Sequence, residues 1–396
     1  MRARVIIAFI LVATTSCDVF GPDGSKRSAR VELPFCGQSS ITMSWAKIKA
    51  EGADWVDLPA TNGVASFTAT SKVTIAYGSL NSVRVYSATP DELRDISCLR
   101  QKPEAKFLDG SVRDVGSDET FFVTVGNVSA FATPFTVFVP DGPLPIVART
   151  QNRNTGAPQR IIVRHDVDLP VGSEIPILDF GSVEPRPFES ANLTVAGISG
   201  ANQGFFSSEF VISGVHHGLS TGVVGQSAIR YHAVPAALLA PGDYNRLDVH
   251  AFSENSLREL TYYYRGARDA QLNLGPVATA PSGSTLATTP CARLRATVPA
   301  QAEYSSFVTA QFWVQYEASD QVVVEVGMTK DFLGQTPATW TVETPDVLRP
   351  DGGCLLRPNP DSWSVYVNPQ EGRIATYLGG EGRDGEVRRS GSAAWP

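Results

Sequence analysis

Lys72-Val-Thr-Ile-Ala-Tyr77 and, a few residues on, Ser82-Val-Arg-Val-Tyr86 alternate apolar and polar side chains. A period of two sends successive side chains to opposite faces of an extended chain, so each run reads as a strand with one face buried. Similar runs occur along the whole chain: Ile41-Thr-Met-Ser-Trp45-Ala-Lys-Ile48, Phe121-Phe-Val-Thr-Val125, Phe135-Thr-Val-Phe-Val139, Arg160-Ile-Ile-Val-Arg164, Leu247-Asp-Val-His-Ala-Phe252, Leu260-Thr-Tyr-Tyr-Tyr264, Val322-Val-Val-Glu-Val326 and Trp363-Ser-Val-Tyr-Val367. Helix signals are few. Thr89-Pro-Asp-Glu92 has the form of a capping box with proline at the first helical position, opening a short helix before Cys98.

Composition agrees with this. The 396 residues include 34 Gly, 27 Pro and only 3 Met, with 42% hydrophobic and 18% charged residues. Turns are therefore plentiful, and the chain is neither a disordered polyanion nor a polytopic membrane protein. The expectation is an all-β protein built of several antiparallel β-sandwich modules in tandem, with few short helices. Turn-rich and linker-like stretches place the modules at 29–100, 101–150, 151–280 and 281–378, followed by a flexible tail at 379–396. A weak internal echo, Ala88-Thr-Pro-Asp-Glu-Leu93 with Ala233-Val-Pro-Ala-Ala-Leu238, is compatible with related modules. Lys and Arg total 33 against 40 Asp and Glu, a net charge of −7, and no internal basic cluster is present. A nucleic-acid partner is excluded on that ground, because phosphate binding needs a concentrated cationic face.

The first residues read as an export signal. Met1-Arg2-Ala3-Arg4 is cationic and residues 5–13 are uninterruptedly apolar. As a helix that run spans about 13 Å, too short for a hydrocarbon core of about 30 Å, and it suits the apolar region of a signal peptide, 1–16. Thr14-Thr15-Ser16 then precede Cys17. This resembles the lipobox of bacterial lipoproteins, with Thr14 where leucine is usual. The resemblance implies lipidation of Cys17, a tether at 17–28, a membrane partner through the lipid anchor, and a place in the bacterial cell envelope, on the periplasmic side or the cell surface. Simple cleavage after Ser16, giving a secreted soluble protein, is the alternative.

Four cysteines remain: Cys36, Cys98, Cys291 and Cys354. An even number in an exported chain points to disulfides. Chain position favours Cys36–Cys98 and Cys291–Cys354; a nested pairing, Cys36–Cys354 with Cys98–Cys291, requires the first and last modules to lie side by side and stays open.

Gly110-Ser-Val112, Phe121 to Val125, Phe135-Thr-Val-Phe-Val-Pro-Asp-Gly142 and Ile146-Val-Ala148 together resemble the carboxypeptidase regulatory-like, transthyretin-type β-sandwich over residues 104–150. Such modules are accessory, so the resemblance implies a binding or scaffold role and carries no catalytic residue.

Chemistry is sparse. His165-Asp166-Val167-Asp168 is the densest cluster, yet on a strand Asp166 and Asp168 share a face with Arg164 while His165 points away. His216-His217 lies between Gly214 and Gly218 and reads as a surface loop. No nucleophile elbow, zincin, Walker or dinucleotide motif occurs; no metal site and no cofactor are expected. Tyr262 and Tyr264 share one strand face, and Trp313 lies opposite Phe312, so an aromatic binding face at Tyr262, Tyr264 and Trp313 is one reading, and burial under a neighbouring module is the other. The leading functional expectation is a lipid-anchored, non-catalytic binding or structural scaffold whose partner is an envelope protein or a glycan. The competitor is a secreted hydrolase using a His/Asp site within 151–280.

Overall fold

The computed structural model describes residues 29–33, 45–58, 60–61, 64–69, 72–79, 81–93, 105–198, 203–224, 229–253, 256–317, 320–378 and 382–395. Strands dominate, and the described helices are single turns, Pro90–Leu93, Lys330–Leu333 and Ile374–Tyr377, with two short 3-10 turns. The all-β class read from alternation is what the chain adopts.

One twelve-stranded sheet organises the molecule. Its order is Val215–Val223, Gln203–Ile212, Tyr244–Ser253, Ser256–Tyr264, Val387–Trp395, Ser362–Glu371, Phe307–Glu317, Asp320–Thr329, Ser82–Ala88, Val73–Gly78, Trp45–Ala50 and Val56–Leu58. All neighbours are antiparallel except Asp320–Thr329 and Ser82–Ala88, which run parallel from Val323↔Ser82 to Met328↔Ser87. A parallel neighbour cannot be joined by a hairpin, and here the two strands come from opposite ends of the chain.

The sheet is covered on one face by two smaller sheets. Val85, Ala310, Phe312, Val314, Val324 and Val365 pack against Leu294, Val298, Trp340 and Val342 of the sheet Ser282–Ala287, Arg293–Pro299 and Thr339–Glu343. Farther along, Leu247, Val249, Leu260, Tyr262 and Tyr264 pack against Leu193, Ile229, Tyr231 and Ala233 of the sheet Glu189–Ala196, Ile229–Ala233 and Ala270–Asn273. Each fully buried Val, Leu or Phe contributes about 1.5–3 kcal/mol of transfer free energy, so this shared face holds the layers together. A separate sandwich encloses Leu108, Val137, Val139, Val123, Val125, Ile146, Ala148 and Ile162.

Three features of the module organisation differ from expectation. Leu144–Asn152 pairs with Pro158–Val167, so residue 151 lies at a hairpin and the sandwich that begins at Ala105 extends past it. The tail expected to be flexible contains Val387–Trp395, a strand bonded to Ser256–Tyr264 on one side and Ser362–Glu371 on the other. Its ring Trp395 lies 4.6 Å from that of Trp363, over Gly283, where any side chain would meet the indoles. The first and last modules share the twelve-stranded sheet rather than following one another as separate bodies.

Cys291 and Cys354 form a disulfide with Cα atoms 5.4 Å apart, which removes the nested pairing. Cys17, Cys36 and Cys98 lie outside the described residues. The capping box is present as read: Thr89 N donates to Glu92 Oε2 at 2.9 Å, and the same carboxylate accepts from Thr329 Oγ1 at 2.7 Å, tying the first helix to the sheet.

Candidate functional site

The second face of the twelve-stranded sheet lies outside the two smaller sheets, and its side chains follow from alternation. Along Phe307–Glu317, Phe312 and Val314 are buried while Gln311, Trp313 and Gln315 are partly open. Along Ser362–Glu371, Val365 and Val367 are buried while Tyr366 is 48% exposed. Register sets the neighbours: Trp313 lies opposite Ser364 and Val323, and Gln311 opposite Tyr366 and Glu325. Across the adjoining strands this face continues through Asn368, Ser392, Leu257 and Phe252. At that end Phe205, His250 and Phe252 stack, with ring centroids 4.7 Å and 5.4 Å from Phe205 to the other two. His250 Nδ1 is 3.2 Å from Glu259 Oε1, and Ser390 Oγ donates to Glu259 Oε2 at 3.1 Å. Burial raises the Glu259 carboxyl, but the His250 and Ser390 contacts and nearby Arg388 bring it below the ordinary carboxylate range.

Part of this face is closed by the connection between Ser362–Glu371 and Val387–Trp395. Its helix Ile374–Tyr377 lays Ile374 and Ala375 on Val73, Ile75, Tyr86, Ala88 and Phe307. Beneath it Glu325 is buried, accepting hydrogen bonds from the hydroxyls of Tyr86 and Tyr377, the latter at 3.0 Å. Burial first, and then the Glu325 charge, push both phenols well above their ordinary value, so both remain donors. Tyr77, beside Arg84, is pushed up to about 12, chiefly by burial. Arg373 donates to Glu386 at 2.8 Å and Thr376 Oγ1 donates to it at 2.9 Å, closing the connection on itself. The closed part is an anchored strap. The open part carries rings, amides and hydroxyls, with the His250–Glu259 pair at its far end.

The residues singled out from sequence separate. Trp313 does reach the open face. Tyr262 and Tyr264 do not: they are 4% and 0% exposed, stack on each other at 5.2 Å, and lie on the face covered by the smaller sheet. Of the two readings of these tyrosines, burial under a neighbouring layer is the one the structure shows, and a binding face there is not; alternation placed them together, but the neighbouring sheet decides which side is covered. Their hydroxyls serve the fold, Tyr262 accepting from Arg268 Nε at 2.6 Å and Tyr264 donating to the His232 carbonyl at 3.3 Å. Tyr366 was part of a recognised strand run without being picked out, because its exposure depends on the same covering.

The histidines do not converge. His216 and His217 sit on strand Val215–Val223 rather than in a loop, because Ser213-Gly214, both with positive φ, make the turn just before it. They point to opposite faces. His216 Nδ1 is 3.1 Å from Glu209, and His217 is buried face to face on Phe210. His165 Nε2 donates to the Leu238 carbonyl at 2.9 Å, with Nδ1 3.5 Å from Asp243. Asp166 takes φ +48° inside the strand Pro158–Val167, where the pairing shifts register, and Arg164 pairs with Glu184 at 2.7 Å instead of with Asp166 or Asp168. Among the described residues no three His, Cys, Asp or Glu side chains are grouped to hold a metal ion. No protein-family model matches the chain, and no curated protein matches it.

Proposed function

We propose that this chain is a lipid-anchored envelope protein that works as a binding scaffold, presenting the open face of its long sheet to an envelope partner. The anchor rests on the lipobox-like start ending at Cys17, and no helix among the described residues is long and apolar enough to cross a membrane. The observation that carries the binding role is Tyr366, 48% exposed, beside the partly open Trp313 on the neighbouring strand, on the sheet face outside the two smaller sheets. Large rings left open on a rigid sheet are candidates for contact because they bury much area with little loss of side-chain freedom. The sandwich begun at Ala105, which over 104–150 resembles transthyretin-type modules, is read as an accessory layer. The alternative, a secreted hydrolase with a His/Asp site in 151–280, would draw on His165 beside Asp243, or on His216 beside Glu209.

Two arms test this in cells. Partition of the wild-type protein into the detergent phase, lost in Cys17→Ala, supports the anchor; equal partition of both overturns it. A photo-crosslinking phenylalanine at Gln311 is expected to form an adduct with an envelope component, and one at exposed Val183, far along the chain, is not. Equal labelling from both positions overturns the binding face.

A further inference from the structure

We infer that Arg149 and His217 form the anion-holding end of a binding site for a small amphipathic monocarboxylate, away from the open face and independent of the scaffold reading. His217 pairs with Phe210, which shares the covered side of the long sheet with Tyr264 through Asn245. There Phe210, Ile212 and Leu219 of the hairpin pack on Val147 and Ile161, on the outer side of the Ala105 sandwich. Register draws a row across that sandwich sheet: Phe122 lies opposite Arg149, Arg149 opposite Ile161, and Ile161 opposite Arg186. Ile161 is fully buried under the hairpin. At the other end of the row Phe131 is 67% exposed and meets Phe122 edge to face at 5.5 Å. Arg149, only partly buried, thus sits at the margin, with the hairpin on one side and open rings on the other.

Arg149 has no counter-charge. Its guanidinium lies over the Phe122 ring at 4.6 Å, among the described residues no carboxylate or carbonyl accepts from it, and Nη1 is buried without a hydrogen-bond partner. Other partly buried arginines are matched: Arg160 by Glu119, Arg246 by Glu209 and Asp248, and Arg258 by the carbonyls of Gly197 and Gly275. Burial alone acts on the Arg149 pKa, lowering it. His217 is 7% exposed, and its Nε2 is likewise buried without a partner. The Arg149 charge is the strongest electrostatic influence on that imidazole, so the two groups are neighbours. A buried polar group without its bond is costly, and two of them at one margin suit an incoming acceptor. A guanidinium matches a carboxylate bidentately, and neutral His217 with its proton on Nε2 donates to the same anion. One cation balances one charge. The next along the row, Arg186, lies beyond buried Ile161, so a phosphate dianion is left underpaired. Phe131 and Phe122 offer apolar area to the body of the ligand. With strands about 4.8 Å apart, Phe131 lies about 10 Å from Arg149, the length of an aryl or short alkyl carboxylate.

Calorimetric titration of the purified full chain tests this with naphthoate, phenylbutanoate and octanoate, against naphthalenemethanol, acetate and inorganic phosphate. At least one of the first three is expected to bind saturably, and the uncharged alcohol, acetate and phosphate about tenfold more weakly or worse. Arg149→Gln is expected to weaken binding about tenfold or more while the protein stays folded, since it removes a charge that has no counter-charge. Phe131→Ser, at an exposed ring, keeps the unfolding midpoint and weakens binding about threefold or more, so the test stands even where Arg149→Gln does not fold. In proton–nitrogen correlation spectra the ring nitrogens of His217 shift on adding the carboxylate that binds, and those of His250, stacked on Phe205 at the open face, do not. Absence of saturable heat with all three carboxylates, affinity unchanged in Arg149→Gln or in Phe131→Ser, the alcohol or phosphate binding as tightly as the carboxylate, or His217 signals that do not move overturns the site.

Discussion

The imidazole of His217 lies flat on the ring of Phe210, centroids 4.7 Å apart and planes within 12°. Phe210 belongs to a cluster with Val147, Ile161, Ile212 and Leu219, where the outer side of the Ala105 sandwich meets the hairpin of the long sheet. Burial, then the charges of Arg149 and His216, lower the His217 pKa to about 3, against the partial opposition of Glu209. The folded protein therefore holds His217 neutral, while the unfolded chain protonates it below about pH 6.5. Its contribution is complete above pH 6.5 and is lost as pH falls toward 3. Between pH 7 and pH 5 the loss is about 2 kcal/mol. Urea unfolding of His217→Phe is expected to show a flatter pH dependence over that range than wild type. Some slope remains, because burial also lowers His232. Identical slopes in the two proteins refute the assignment.

Glu325 should be the costliest single truncation on the long sheet. Glu325→Ala strips Tyr86 and Tyr377 of their common acceptor, leaving the Tyr86 phenol fully buried and Tyr377 with Thr309 alone. Each orphaned buried donor costs about 1–3 kcal/mol. Tyr377→Phe removes one donor and leaves Glu325 held by Tyr86, so it is expected to cost only about 1 kcal/mol. Chemical denaturation of the two variants and the double variant checks this. The double variant should fall short of the sum, since the two residues share one interaction.

How far this was legible in the sequence depends on whether the signal was local. Val73–Gly78, Ser82–Ala88 and Ser362–Glu371 announced themselves, because alternation is written in each strand. Which strands meet is not written there. Ser82–Ala88 lies beside Asp320–Thr329 through backbone hydrogen bonds that either sequence could have offered to another strand. Val387–Trp395 looked like a tail because Arg388, Arg389, Ser390 and Ser392 are polar and Gly391 interrupts them. Yet Gly391 lies against Ala278 and Tyr304, where a Cβ would come within 2.9 Å and 3.1 Å, and Ser390 and Ser392 face the open side. The open face was half legible: Trp313 stood out by residue type, whereas Tyr366 and the burial of Tyr262 and Tyr264 required knowing which face the smaller sheets occupy.

Removing residues 387–396 tests the reassigned tail. Without that strand, Ser256–Tyr264 and Ser362–Glu371 lose the neighbour that joins them, and two sheet edges are exposed. Calorimetry is expected to show the single main transition of the full chain split in two, with increased aggregation. Gly283→Val is a milder probe of the same region, since its side chain would collide with Trp395 and Trp363; overpacking of this kind costs about 1–3 kcal/mol. A truncated protein unfolding like the full chain would restore the flexible tail.

The disulfide Cys291–Cys354 closes a separation of 63 residues that contains Arg293–Pro299, Phe307–Glu317, Asp320–Thr329 and Thr339–Glu343. Every one of these strands contributes to the core around Phe312, Trp340 and Val342, either from the long sheet or from the small sheet covering it. Opening the link frees the ends of that whole segment in the unfolded chain while leaving the native packing in place. On the chain-entropy account a loop of this length is worth about 4 kcal/mol. The cost should therefore appear as easier unfolding with little change in the native sheet. Cys291→Ala with Cys354→Ala is expected to lose about 2–4 kcal/mol in urea unfolding while keeping the β-sheet circular dichroism of wild type. Reduction of the wild-type protein should lower its stability similarly, with no further effect on the double variant. A double variant as stable as the oxidised protein would mean that the link does not restrain the unfolded chain.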